Sequence, residues 1–103
     1  MTAQERVYSC DRVLMLNAVG DIIDEFKGRI LLSDTDNGRL DARLKNRENF
    51  VIYRFFVSQE GSACRLRIET GDKATPTEKL ARESRQIETL FTCFDDVMGT
   101  VLA

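Results

Sequence analysis

The sequence predicts an α+β fold: an antiparallel sheet of about five strands, with a short N-terminal helix and a long C-terminal helix packed on one face, in the order β-α-β-β-β-β-α. Three observations carry the prediction. Apolar residues recur at helical spacing between Asp11 and Gly28, and again after Thr75. Between these stretches lie segments of alternating or continuous apolar character, broken by turn signals at Asp36-Asn37-Gly38 and at Gly61.

Taken in order, Arg6 to Cys10 reads as a first strand. Asp11 then caps a helix whose apolar positions are Met15, Val19, Ile22, Ile23 and Phe26, and Gly28 ends it. Gly20 inside that helix weakens it by about 1 kcal/mol relative to alanine, which points to close packing against the sheet. Arg29 to Thr35 and Arg39 to Lys45 form a hairpin. A two-residue Asn37-Gly38 loop would set Asp34 against Asp41 and mix polar with apolar neighbours. A three-residue loop, with Gly38 left-handed, sets Ile30 and Leu32 beside Leu44 and Ala42 and is preferred on burial.

Asn49 to Ser58 is hydrophobic on both faces, whereas Ala63 to Thr70 alternates Cys64, Leu66 and Ile68 with Arg65, Arg67 and Glu69. A Gln59-Glu60-Gly61 loop between them would bury Arg54 with Phe50, Ile52 and Phe56. A Glu60-Gly61 loop sends those four residues outward with Arg65, Arg67 and Glu69 and turns Tyr53, Phe55 and Val57 inward. The second is preferred, because an unpaired buried arginine costs several kcal/mol.

Thr75-Pro76-Thr77-Glu78 is a capping box with proline at the first helical position. From there Leu80, Ile87, Leu90, Phe91, Phe94, Val97, Met98, Val101 and Leu102 form one stripe. A helix of roughly 27 residues reaches on the order of 40 Å, enough to roof a sheet about 20 to 25 Å wide.

This element order resembles that of the TATA-binding-protein-like fold, which also includes the helix-grip lipid and hormone carriers and the polyketide-cyclase-like proteins. The resemblance covers the whole chain, rests on element order and not on a motif, and transfers no functional residue. It implies a sheet gripping its long helix. For a chain shorter than the typical carriers, it does not imply a large internal cavity.

Composition bounds the function. The 103 residues, 43% hydrophobic and 31% charged, lack a linker or low-complexity segment and predict one domain over residues 1–103. The N-terminus has no apolar leader and no run is long enough to span a bilayer, so a soluble, cytoplasmic protein without membrane contact is expected. Cys10, Cys64 and Cys93, three at wide spacing, read as reduced thiols. The chain has no histidine, glycine-rich phosphate loop or nucleophile beside a base, so a non-enzymatic protein without cofactor or metal is expected.

Two cation-like signals also fail. Asp34-Thr35-Asp36-Asn37-Gly38 opens like a calcium loop, but glycine comes one position early and Lys45 occupies the place of the bidentate glutamate. Asp21, Asp24 and Glu25, with Asp95 and Asp96, fit solvated helix faces. The net charge of −2 disfavours nucleic acid, although aromatic rings interleaved with arginine on a sheet resemble a base-stacking platform.

What remains is the outward face of the Asn49–Ser58 strand and its neighbour. Phe50, Ile52, Arg54, Phe56, Arg65 and Arg67 combine aromatic, aliphatic and arginine side chains, a composition enriched at protein interfaces. The sequence thus predicts an interaction or regulatory module, homo-oligomeric or docking another protein through this face. The competing expectation is a carrier or sensor of a small apolar ligand, with Tyr53, Phe55, Leu66, Phe91, Phe94 and Met98 lining a pocket between helix and sheet.

Overall fold

The structure, a computed structural model, describes residues 2–46, 49–71 and 77–98. Its elements run β1 (Thr2–Tyr8), α1 (Arg12–Glu25), β2 (Arg29–Asp34), a 3-10 turn (Thr35–Asn37), β3 (Arg39–Asn46), β4 (Asn49–Glu60), β5 (Ala63–Thr70) and α2 (Thr77–Met98). The strands form one five-stranded antiparallel sheet in the order β1-β5-β4-β3-β2. The fold is α+β, as the sequence predicts, and β1 and β2 are its edges.

β1 starts at Thr2 and ends at Tyr8, earlier than the expected Arg6–Cys10, and pairs with β5 from Thr2↔Thr70 to Tyr8↔Cys64. Its helix-facing side chains are mostly polar, which hid it from a search for hydrophobic alternation. Polar groups of α2 satisfy them. Thr2 donates to Glu83 (2.9 Å), Gln4 donates to the Ser84 hydroxyl (2.9 Å), and Arg6 pairs with Asp95.

In α1 the Asp11 carboxylate accepts from the Leu14 N–H at 2.8 Å, the expected cap, and Met15, Ala18, Val19, Ile22 and Ile23 are buried. The helix ends differently from the expectation at Gly28. Lys27 takes the left-handed conformation, with φ 53°. Its N–H donates to the Asp24 carbonyl (2.9 Å) and the Gly28 N–H to that of Ile23 (2.8 Å), the bond pair of a Schellman motif. Gly28 is needed for a close approach: a Cβ there would lie 2.3 Å from Leu44 Cδ2. Gly20 does not pack tightly, since a Cβ there meets nothing within 4 Å.

The β2–β3 register also departs from expectation. Asp34 pairs with Arg39, making the loop the four residues Thr35 to Gly38, and a bulge at Leu31 shifts the ladder. Ile30 therefore faces Ala42 instead of Leu44, and Leu32 faces Asp41 instead of Ala42. Gly38, at φ 71°, lies so close to β4 that its carbonyl accepts from the Val57 N–H at 2.7 Å. The Arg12 guanidinium donates to the Thr35 and Asp36 carbonyls, while the Arg12 N–H donates to the Gln59 side chain at 2.7 Å. The first turn of α1, the hairpin loop and β4 are thereby stitched together.

The β4–β5 loop is Gly61-Ser62, two residues of register away from the expected Glu60-Gly61. A slip of two keeps every side chain on its face. Tyr53, Phe55 and Val57 point inward, Phe55 lies opposite Ile68, and Val57 lies opposite Leu66. The core between sheet and helices holds Tyr8, Phe55, Leu66, Ile68, Ile87, Phe91 and Phe94, all fully buried.

α2 rests on β1 and β5, and α1 fills the rest of that face, over β4 in particular, touching α2. Both helices share the roof, as the sequence predicts, although α2 does not span the sheet alone. Ile87, Leu90, Phe91 and Phe94 carry the α2 stripe, but Val97 is exposed. The capping signal at Thr75-Pro76, the Leu80 side chain, Val101 and Leu102 lie outside the described residues. Among the described residues, no helix is long and apolar enough to cross a membrane.

Candidate functional site

The sheet face turned away from both helices carries Phe50, Ile52, Arg54 and Phe56 from β4, and Arg65, Arg67 and Glu69 from β5. Arg39, Asp41, Arg43 and Lys45 of β3 lie on the same face, as the pairing Asp41↔Arg54, Arg43↔Ile52 and Phe56↔Arg67 requires. The six residues assigned from sequence to an interface thus share one surface. Its two halves differ.

On the β1, β5 and β4 side, six alternating charges run as one chain: Glu60, Arg65, Glu5, Arg67, Glu69 and Arg54. Arg65 grips Glu60 with two bonds (2.7 and 3.1 Å) and donates to Glu5 (3.0 Å). Arg67 bridges Glu5 (3.0 Å) and Glu69 (2.7 Å), and Arg54 reaches Glu69 (3.4 Å) and the Gly71 carbonyl (2.9 Å). Three cations and three anions make this half neutral. Arg65 bonding holds the Glu60 carboxyl below the usual range. Burial would push the Glu69 carboxyl up, but Arg67 and Arg54 together bring it down. Arg54, Arg65 and Arg67 are therefore already occupied.

On the β4, β3 and β2 side the polar groups are less well matched. Arg39 holds Asp41 through two bonds (3.1 and 2.9 Å) and lies 5.3 Å from the Phe56 ring centre. The Arg43 guanidinium stacks 4.6 Å from the Phe50 ring centre, with its Nε buried and unbonded. Among the described residues, Arg29, Arg43 and Lys45 form no ion pair, and Arg29 lies directly opposite Arg43. Despite the stacked guanidinium, Phe50 is 57% exposed and Ile52 48%. This half is apolar and basic.

Sequence reasoning named Phe50, Ile52 and Phe56 but missed Leu32, Arg39 and Arg43 beside them, and Glu5 and Glu60 in the charge chain. Their places depend on which residue faces which across three ladders. Alternation within a strand shows the face but not the partner.

The residues expected to line a ligand pocket lie in or against the core. Phe55, Leu66, Phe91 and Phe94 are fully buried, Phe55 meets Phe94 edge-on with ring centres 6.4 Å apart, and Met98 packs against the same core. Tyr53 borders a cavity of about 90 Å³ with Phe26, Leu44, Lys45, Gln86, Thr89 and Leu90. Drug-sized ligands occupy roughly 300 Å³ or more. A shallower groove of about 450 Å³ lies between Arg12, Val13, Leu16 and Asn17 of α1 and the Thr35-Asp36 turn, and shares none of these six residues.

Several of the remaining titratable groups have structural partners. Asp95 accepts from the Tyr8 hydroxyl (2.7 Å) and pairs with Arg6, whose guanidinium lies over Phe91. Asp21, Asp24 and Glu25 are exposed along α1. Asp34 is bonded by Asn37 at 2.9 Å within the hairpin loop. Burial raises all three thiols, Cys64 to about 11, which suppresses thiolate character. A scan against family models and a search of curated proteins each return no match for this chain.

Proposed function

We propose that the chain is a non-enzymatic interaction module that associates with a second copy of itself through the apolar, basic half of its outer sheet face, centred on Phe50 and Ile52. The observation that carries the reading is the exposure of these two large side chains on the central strand of a sheet face that, among the described residues, neither helix covers. Aromatic and aliphatic anchors flanked by arginine suit the buried centre of an interface. Arg54, Arg65 and Arg67 belong to its rim, because their charges are already matched within the chain.

Sedimentation velocity over a concentration series tests this. The wild type should associate at micromolar concentration, and Ile52→Lys should weaken association by roughly tenfold or more, by adding an unmatched cation beside Arg43 to a half that is already basic. A chain that stays strictly monomeric at high micromolar concentration, with or without the substitution, would defeat the reading. Reproducible extra mass on the monomer in a native mass spectrum would favour the ligand-carrier reading instead.

A further inference from the structure

β2 is the sheet edge beyond β3, so among the described residues one side of its backbone lacks a strand neighbour, and such an edge templates pairing with another chain. Its sequence, Arg29-Ile30-Leu31-Leu32-Ser33-Asp34, has three apolar residues at its centre, exposed by 47, 48 and 42%. Proline and lysine, common edge protectors, are absent from it. Among the described residues, protection comes only from the bulge at Leu31 and from opposite charges at the two ends.

We infer that β2 pairs antiparallel with β2 of a second copy about a two-fold axis between Leu31 and Leu32. In that register Arg29 faces Asp34 of the second copy, Ile30 faces Ser33, and Leu31 faces Leu32, each twice. The faces agree: Arg29 and Asp34 both lie on the outer side, opposite Arg43 and Arg39, while Ile30 and Ser33 lie on the inner side, opposite Ala42 and Leu40. Within its own chain Arg29 confronts a like charge in Arg43, and Asp34 of the second copy supplies the missing anion.

Other arrangements lose this match. A parallel pairing sets Arg29 against Arg29, and a one-residue slip sets outer against inner side chains. The end charges therefore specify one register as well as blunting the edge. The product is a continuous ten-stranded sheet with both outer faces on one side. Its two β4 strands lie five strand spacings, roughly 24 Å, apart. This contact goes beyond the outer-face association and uses a different surface.

Charge reversal and its repair test the register, again by sedimentation velocity. Arg29→Asp and Asp34→Arg alone each turn two attractive pairs into two repulsive ones and should weaken dimerisation by roughly tenfold or more. The double variant R29D/D34R restores opposite charges and should return to within about threefold of the wild type. Leu31→Lys, at the axis, should weaken pairing independently of the end charges. Circular dichroism checks that each variant is folded. A monomeric wild type overturns the inference. So does a dimer that ignores both single reversals, and if Ile52→Lys alone dissociates that dimer, the outer-face contact stands without this one. A folded double variant as weak as the singles overturns the proposed register.

Discussion

Replacing Lys27 by glycine should stabilise the fold, and replacing the adjacent Gly28 by alanine should destabilise it. Lys27 sits at φ 53°, where a residue with a Cβ is disfavoured by about 1 to 2 kcal/mol. Glycine removes that strain, but it loosens the unfolded chain and gives up a cation at the helix C-terminus, which offset the gain by about 0.4 to 1 and about 0.3 kcal/mol. A net gain of about 0.5 kcal/mol remains, a rise of roughly 0.2 to 0.5 M in the urea midpoint. Lys27→Ala isolates the strain, since it loses the same charge and keeps the Cβ, and should be less stable than Lys27→Gly by about 1 kcal/mol. At Gly28 a Cβ would meet Leu44 Cδ2 at 2.3 Å, with the Arg43 carbonyl and Ile23 Cγ2 at 3.0 Å, and Leu44 is buried. Overpacking of this kind costs about 1 to 3 kcal/mol. Equilibrium urea denaturation followed by circular dichroism measures all three variants. Equal stability of Lys27→Gly and Lys27→Ala, or a Gly28→Ala variant as stable as the wild type, would refute this account of how α1 ends.

Gly20→Ala should raise stability by about 0.5 to 1 kcal/mol, because the new methyl meets nothing and the helix gains propensity; a drop in melting temperature would contradict the open surroundings. Phe94→Ala removes a fully buried ring set edge-on to Phe55 and should cost about 3 to 5 kcal/mol, measured by the same denaturation. Burial, then the Glu83 charge, pushes the Tyr53 hydroxyl up to about 12. Burial, then the bond to Asp95, holds Tyr8 higher still. A raised folded-state value favours folding below the ordinary tyrosine range near 10 and loses that contribution as pH climbs through the folded-state values. Stability should therefore hold to about pH 10 and fall above it, with tyrosinate absorbance rising together with loss of helix. Tyrosinate signal in fully folded protein near pH 10 would contradict this.

Much of the architecture was legible because its periodicities are strong. β4 is hydrophobic on both sides, β5 alternates cleanly, and α2 carries Ile87, Leu90, Phe91 and Phe94 on one stripe, so element types and the inward and outward sets followed directly. A desolvation argument places Arg54 outward, and its position beside Glu69 agrees. Three features were not legible. The early start of β1 was hidden because Gln4 and Arg6 face inward onto polar groups of α2. Two-residue register shifts leave a period-two pattern unchanged, so the Gly61-Ser62 loop could not be told from its neighbour. The bulge at Leu31 obeys no periodicity, and with it went the pairing of Arg29 with Arg43. The candidate surface was therefore visible as a set of side chains, whereas its division into a neutral half and an apolar, basic half required the ladders.

The Arg12 stitch ties together residues far apart in sequence. Opening the hairpin loop alone would strip two carbonyls of their donor, and fraying the start of α1 would release the same guanidinium along with the bond to Gln59. Neither event is local. Amide hydrogen exchange at Arg12 and Val57 should consequently proceed at matched, slow rates, as one cooperative unit with the centre of the sheet, although one amide opens a helix and the other faces a surface turn.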